Sequence, residues 1–180
     1  LALGPLGGWM TATFLGCGDP LGIALGTDDL RLQVVEGLVP SQLPADPATI
    51  DLAGYHAVVV SPGVPLNRHP IGAAADAAGV PLVGDIELFA QARGDLPAHR
   101  VVGITGTNGK STTTALVHHL LKSAALPTRM GGNIGLPVLG QEPLAPGGVY
   151  VLELSSYQID LTQSLECEVT ALLNITPDHL

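Results

Sequence analysis

The chain has 180 residues, 46% of them hydrophobic and 13% charged, with 23 glycines and 15 prolines. This is a folded α/β composition with many turns and argues against disorder. A formal net charge of −9 disfavours general affinity for nucleic-acid backbone or anionic lipid, so any phosphate must be held locally.

The opening stretch 1–26 is apolar, but glycines and prolines interrupt it and no Lys or Arg precedes Arg31. It lacks both the basic start of a signal peptide and the roughly 20 continuous apolar residues of a membrane span, and reads as buried sequence. Apolar, β-branched runs follow at 21–25, 57–60, 101–105 and 149–154, with 170–175 a fifth. Such runs predict buried strands of a parallel sheet. Ala-rich stretches at 71–78 and 112–125 predict helices, so strands and helices alternate as in a doubly wound α/β fold. The polar, Pro-containing segment 94–99 predicts a boundary between one domain over 1–97 and a second over 98–180. Residues 140–148, with Pro143, Pro146 and paired glycines, predict a loop inside the second. Cys17 and Cys167 stand far apart without a Cys-x-x-Cys or Cys/His spacing, so neither a disulfide framework nor a zinc site is indicated, and a reducing cytoplasm fits. The first residue is Leu and the last four are Pro-Asp-His-Leu, so both ends are expected to be cut.

One segment carries explicit chemistry. Strand-like Val101-Val-Gly-Ile-Thr105 runs into Gly106-Thr107-Asn108-Gly109-Lys110-Ser111-Thr112 and then into a helical stretch, the order a phosphate-binding loop requires. Glycines let the backbone curl until several N–H groups face one anion, the helix N-terminus adds partial positive charge, and Lys110 neutralises outer phosphates. The Ser111 hydroxyl is then available to Mg²⁺. The spacing is G-x-x-G-x-x-G-K-S rather than G-x-x-x-x-G-K-[ST], because Ile104 stands where the first glycine would be. The alternative is a Gly-rich turn with an exposed lysine. Glu153, set in Val149-Tyr-Val-Leu-Glu-Leu154, would need a partner if buried, and a metal ion shared with Ser111 would supply one. The alternative is a strand-end carboxylate in water.

Four motifs together, Gly-Ile-Thr-Gly-Thr-Asn-Gly-Lys-Ser-Thr (103–112), Gly131-Gly-Asn-Ile-Gly135, Leu152-Glu-Leu-Ser-Ser-Tyr-Gln158 and Leu173-Asn-Ile-Thr-Pro-Asp-His179, resemble the Mur ligases in order and spacing. The second and third are most similar to the branch that adds D-glutamate, as are Val60-Ser-Pro-Gly63 and Gly84-Asp-Ile-Glu-Leu-Phe89. The likeness is close over about 55–180 and weakens before it, where the family's first strand and glycine turn are largely missing.

The resemblance implies a Rossmann-like domain over 1–97 that holds the UDP substrate, its first strand truncated. It further implies that 98–180 is the incomplete start of a P-loop ATPase-type central domain. It implies an ATP- and Mg²⁺-dependent ligase that joins D-glutamate to UDP-N-acetylmuramoyl-L-alanine through an acyl phosphate, cytoplasmic and monomeric, without nucleic acid or membrane insertion. Residues 106–112 would hold ATP, with Lys110, Glu153 and His179 catalytic and Ser111, Glu153 and His179 at metal ions. Gly63, Asn133, Ser155, Ser156, Thr27 and Asp28 would touch substrate. Asn133, Thr27 and Asp28 have the alternative of plain turn residues, and Ser155 and Ser156 that of satisfying backbone at a strand end. His118 and His119 match no motif and read as surface or packing residues. Family members run to more than twice this length, so the chain alone is expected to be inactive. Other Mur or folylpolyglutamate-type ligases, and a non-catalytic nucleotide-binding module, are the competing readings.

Overall fold

A computed structural model describes residues 22–26, 32–35, 52, 55–60, 64 and 66–177. In chain order its elements are β1 (Gly22–Gly26), β2 (Leu32–Val35), β3 (Tyr55–Val60), α1 (Pro70–Ala78), β4 (Leu82–Val83), α2 (Asp85–Ala92), β5 (His99–Thr105), α3 (Lys110–Ser123), β6 (Thr128–Gly132), β7 (Gly148–Glu153), α4 (Ser156–Asp160) and β8 (Val169–Leu172). The described residues fall into two compact units, one ending at Asp85 and the other starting at Ile86.

The first unit holds a sheet of order β2-β1-β3-β4. Only β3 and β4 pair in parallel, Val58 beside Leu82 and Val59 beside Val83. β1 is antiparallel to both its neighbours, with Ile23 opposite Val34 on one side and Val59 on the other. Runs 21–25 and 57–60 are thus strands, but they pair antiparallel with each other, and only 57–60 has a parallel neighbour of the kind their composition suggested. Residues 27–31 are too few for the crossover that parallel neighbours need, so β1 and β2 close as a hairpin. Val58, Val59 and Val60 are buried with Val64, Ile71, Ala75, Val80 and Val83. Helix α1 starts with His69 Nδ1 accepting from Ile71 N, has Pro70 in its first turn, and ends at Gly79 with φ 67°, a conformation that carries no Cβ penalty in glycine.

The second unit holds an all-parallel sheet of order β6-β7-β5-β8. Its inner strands β5 and β7 carry apolar residues on both faces because both faces are covered. Alternate residues of β5 and β7 separate accordingly. Val101, Tyr150 and Leu152 pack with Ile86 and Phe89 of α2, with Val138, and with Leu144 and Leu154. Ile104, Val149 and Val151 pack on the other face, against Val117 and Leu121 of α3. Phe89 meets Tyr150 edge-on at 5.0 Å between ring centroids, and the Tyr150 hydroxyl accepts from Leu144 N.

Helix α2 is tied to this unit by Glu87. Its carboxylate, buried, accepts from the N–H groups of Gln163 and Ser164, the Ser164 hydroxyl and the Gln91 amide. Burial pushes the Glu87 carboxyl up, but those hydrogen bonds outweigh it and leave the group below the ordinary 4.5. Among the described residues no helix is long and apolar enough to cross a membrane.

Candidate active site

All four strands of the second sheet run the same way, so the loops that follow them gather at one edge. β6 and β7 lie on one side of β5 and β8 on the other, so the chain changes sides at β5. In open parallel sheets such a switch, at the carboxyl ends of the strands, is where ligands bind.

At that edge β5 ends at Thr105, and Gly106 (φ 137°) and Gly109 (φ 84°) bend the next four residues into the start of α3. Both values lie in the left-handed half of the map that glycine enters freely. Gly106 is also hemmed in, since a Cβ there would lie 3.1 Å from both the backbone N and O of Asn174. No side chain caps α3 and no acid stands in its first turn, which leaves its first N–H groups and its dipole free to meet an anion. Lys110 folds back over the loop, its ammonium donating to the carbonyls of Gly106 at 2.7 Å and Thr107 at 2.9 Å. Ser111 and Thr112 are exposed on the first turn.

Glu153 closes β7 in register with Ile104 of β5 and Gly132 of β6, far from the loop in sequence yet next to its root in space. It is 1% exposed. One carboxylate oxygen accepts from the Asn133 amide at 2.9 Å, and the Asn133 N–H donates to the Glu153 carbonyl at 2.8 Å. The other oxygen, Oε2, is buried and has no partner. A buried carboxylate oxygen without a donor is costly, so the arrangement suits a cation. Among the described residues no group of three or more His, Cys, Asp or Glu converges. Mg²⁺ fits that poverty, because it takes one or two protein oxygens together with phosphates and waters.

The structure therefore brings together residues 106–112, Asn133 and Glu153. Ser155 stands just beyond β7 as the cap of α4: it accepts from Gln158 N at 3.2 Å, while Gln158 Oε1 accepts from Ser155 N at 3.1 Å. Ser156 is exposed beside it. Thr27, Asp28, Gly63 and His179 lie outside the described residues. Three contributors carried no role in the sequence reading: Gly132, at φ 91° against the Glu153 carbonyl, Asn174 and Thr176. Paired glycines before Asn133, and the asparagine inside Leu173-Asn-Ile-Thr-Pro, were their only traces.

A parallel sheet whose central strand opens, through a glycine-bent loop, into a lysine-headed helix beside a buried acid is the architecture of P-loop nucleotide-binding proteins. The profile of the Mur ligase middle domain matches residues 104–180. UDP-N-acetylmuramoylalanine–D-glutamate ligase of Novosphingobium aromaticivorans is 77% identical over 136 residues, covering 76% of this chain and 31% of that protein. The enzymes of the same name from Sphingopyxis alaskensis and Zymomonas mobilis are 68% and 61% identical, over 75% and 85% of this chain and 31% and 36% of theirs. The chain belongs to the Mur ligase family. It spans about a third of the length of these curated relatives.

Proposed function

We propose that this chain is the nucleotide-binding part of an ATP-dependent ligase that adds D-glutamate to UDP-N-acetylmuramoyl-L-alanine, a step in making peptidoglycan precursor in the cytoplasm. The observation that carries the reading is the loop 106–109 delivering Lys110 and the start of α3 beside Glu153, whose Oε2 is buried and unpartnered. The names of relatives up to 77% identical supply the substrates. On this reading 98–180 begins the ATP-binding domain and 1–97 forms the domain for the UDP-linked substrate, with Gly63, Thr27, Asp28, Ser155 and Ser156 as substrate contacts. The protein acts as a monomer, without nucleic acid and without insertion into membrane.

Phosphoryl transfer from ATP to the alanyl carboxylate asks for positioning and charge neutralisation rather than covalent help. Backbone N–H groups at the start of α3 hold the phosphates, and Lys110, released from the carbonyls it now caps, draws off charge from the transferring group. Ser111 and Glu153, with His179, would hold magnesium, which when bound neutralises charge on the phosphate oxygens. Asn133 keeps one oxygen of Glu153 occupied and so aims the other. The amine of D-glutamate then attacks the acyl phosphate carbon, the C–O bond to phosphate breaks, and the amide forms with loss of a proton from the amine.

Two measurements test this. Calorimetric titration of the chain with ATP and Mg²⁺ should show binding that Lys110→Ala weakens at least tenfold; equal affinity in both proteins refutes the phosphate loop. Phosphate release by the intact protein with UDP-N-acetylmuramoyl-L-alanine should depend on D-glutamate. Preference for another amino acid refutes the substrate assignment.

A further inference from the structure

The phosphate loop is braced from within by Lys110 on the Gly106 and Thr107 carbonyls, and from outside by the segment after β8. Asn174 Oδ1 accepts from Asn108 N at 2.9 Å, and Asn174 Nδ2 donates to Asn108 O at 2.9 Å. This is a two-pronged clamp on the backbone of one residue, gripping the peptide units on either side of it. The backbone carbonyl of the same Asn174 accepts from Thr107 N at 3.0 Å. Two residues on, Thr176 N donates to the Thr107 hydroxyl at 3.0 Å, and that hydroxyl reaches the Thr176 carbonyl at 3.1 Å. Leu173 N donates to Thr105 O at 3.0 Å, so the pairing of β5 with β8 extends past the strand ends into the loop.

The loop needs such a brace. Asn108 and Gly109 are exposed, and two of its four residues sit at positive φ. Backbone conformations of that kind persist only where surroundings over-determine them. Gly106, where a Cβ would crowd Asn174 on both backbone atoms, is the sequence's concession to this close approach.

We infer that Asn174 is a positioning residue for the nucleotide: through Asn108 and Thr107 it sets the curvature of the loop that receives the triphosphate, without touching the triphosphate itself. The inference rests on the reading of 106–111 as the phosphate site. It is tested in the intact protein by the KM for ATP, the KM for the other substrates, kcat, and the calorimetric Kd for ATP with Mg²⁺. Asn174→Ala should raise both KM and Kd for ATP about tenfold, equivalent to about 1.4 kcal/mol. The other KM values should hold, and kcat should change less than about threefold. Asn174→Asp has the same shape and keeps the acceptor for Asn108 N–H, but turns the donor into a second acceptor facing Asn108 O. It should weaken ATP at least as much.

If Asn174→Asp binds ATP like the wild type, or if Asn174→Ala lowers kcat and melting temperature with ATP affinity intact, Asn174 is a packing residue and the inference fails. Lys110→Ala separates the two levels. Should it retain wild-type affinity, the phosphate-site reading falls; should it lose ATP while the Asn174 variants do not, only the clamp falls.

Discussion

Gly132→Ala isolates the feature that sets Glu153 in place. Gly132 sits at φ 91°, and a Cβ there would run into the carbonyl oxygen of Glu153 and lie 3.0 Å from its carbonyl carbon and 3.1 Å from its nitrogen. Two costs add. Holding alanine at positive φ costs roughly 1–2 kcal/mol. The collision is with backbone of a buried central strand, so relief requires moving β6 or β7, at on the order of 1–3 kcal/mol. Gly147 is the matched control: its φ is 83°, and nothing lies within 4 Å of a Cβ placed on it. Gly147→Ala should therefore lose only the conformational part. Urea unfolding should place Gly132→Ala about 2–5 kcal/mol below wild type and Gly147→Ala about 1–2 kcal/mol below. In a chain of this size the first corresponds to a fall in Tm on the order of 5–15 °C. Equal losses in the two variants would refute the steric argument, and with it the claim that a close backbone crossing positions the carboxylate.

Acid should unfold the second unit through two particular carboxylates. Burial raises the Glu168 carboxyl, but donors from Val101 N and Arg93 outweigh this, so Glu168, like Glu87, lies below the ordinary 4.5 in the fold. A lowered folded value contributes stability that is present above the unfolded value and lost as pH falls through the folded one. The urea midpoint should hold near neutrality and drop as pH goes below about 4.5, and Glu87→Gln should flatten that drop; an unchanged acid limb would count against the assignment. Glu87→Ala at pH 7 strands the N–H groups of Gln163 and Ser164 and should cost about 2–3 kcal/mol in the same assay, whereas a loss under about 0.5 kcal/mol would mean water replaces the carboxylate. Ser155→Ala removes the cap of α4 and should lower stability by about 1 kcal/mol. A larger effect on KM for the UDP-linked substrate than on stability would instead favour the substrate role proposed for Ser155.

The parts of the site legible in the sequence are those whose cause is local. Apolar, β-branched runs at 101–105 and 149–154 form β5 and β7 because both faces of a parallel strand are buried, and no partner need be known to see that. Gly106 and Gly109, set between such a strand and a helix-forming stretch, announce the phosphate loop because few other residues tolerate its backbone. Glu153 stands out for the same local reason, an acid among four apolar neighbours. By contrast β6, with sequence Thr-Arg-Met-Gly-Gly, has neither an apolar run nor alternation, and its strand character comes from pairing with β7 rather than from propensity.

Pairing direction, partner choice and satisfaction of buried groups were decided only in three dimensions. A run such as 21–25 is apolar whichever way its neighbour points, so nothing in it distinguishes the hairpin with β2 from a parallel neighbour. The boundary read at 97/98 follows a Pro-containing segment, whereas the compact units divide at Asp85 and Ile86, because Ile86 and Phe89 bury against Tyr150 and Leu152 and Glu87 binds residues 163 and 164. Asn174 and Asn108 are 66 positions apart, and Asn133 and Glu153 are 20; hydrogen bonds over such separations leave no periodicity behind. What the sequence determined by itself was the chemistry available at the site, since residue type and backbone tolerance are written position by position. What the tertiary structure decided was the aim of that chemistry, because aim is set by contacts that exist only once the parallel sheet has brought four strand ends to one edge.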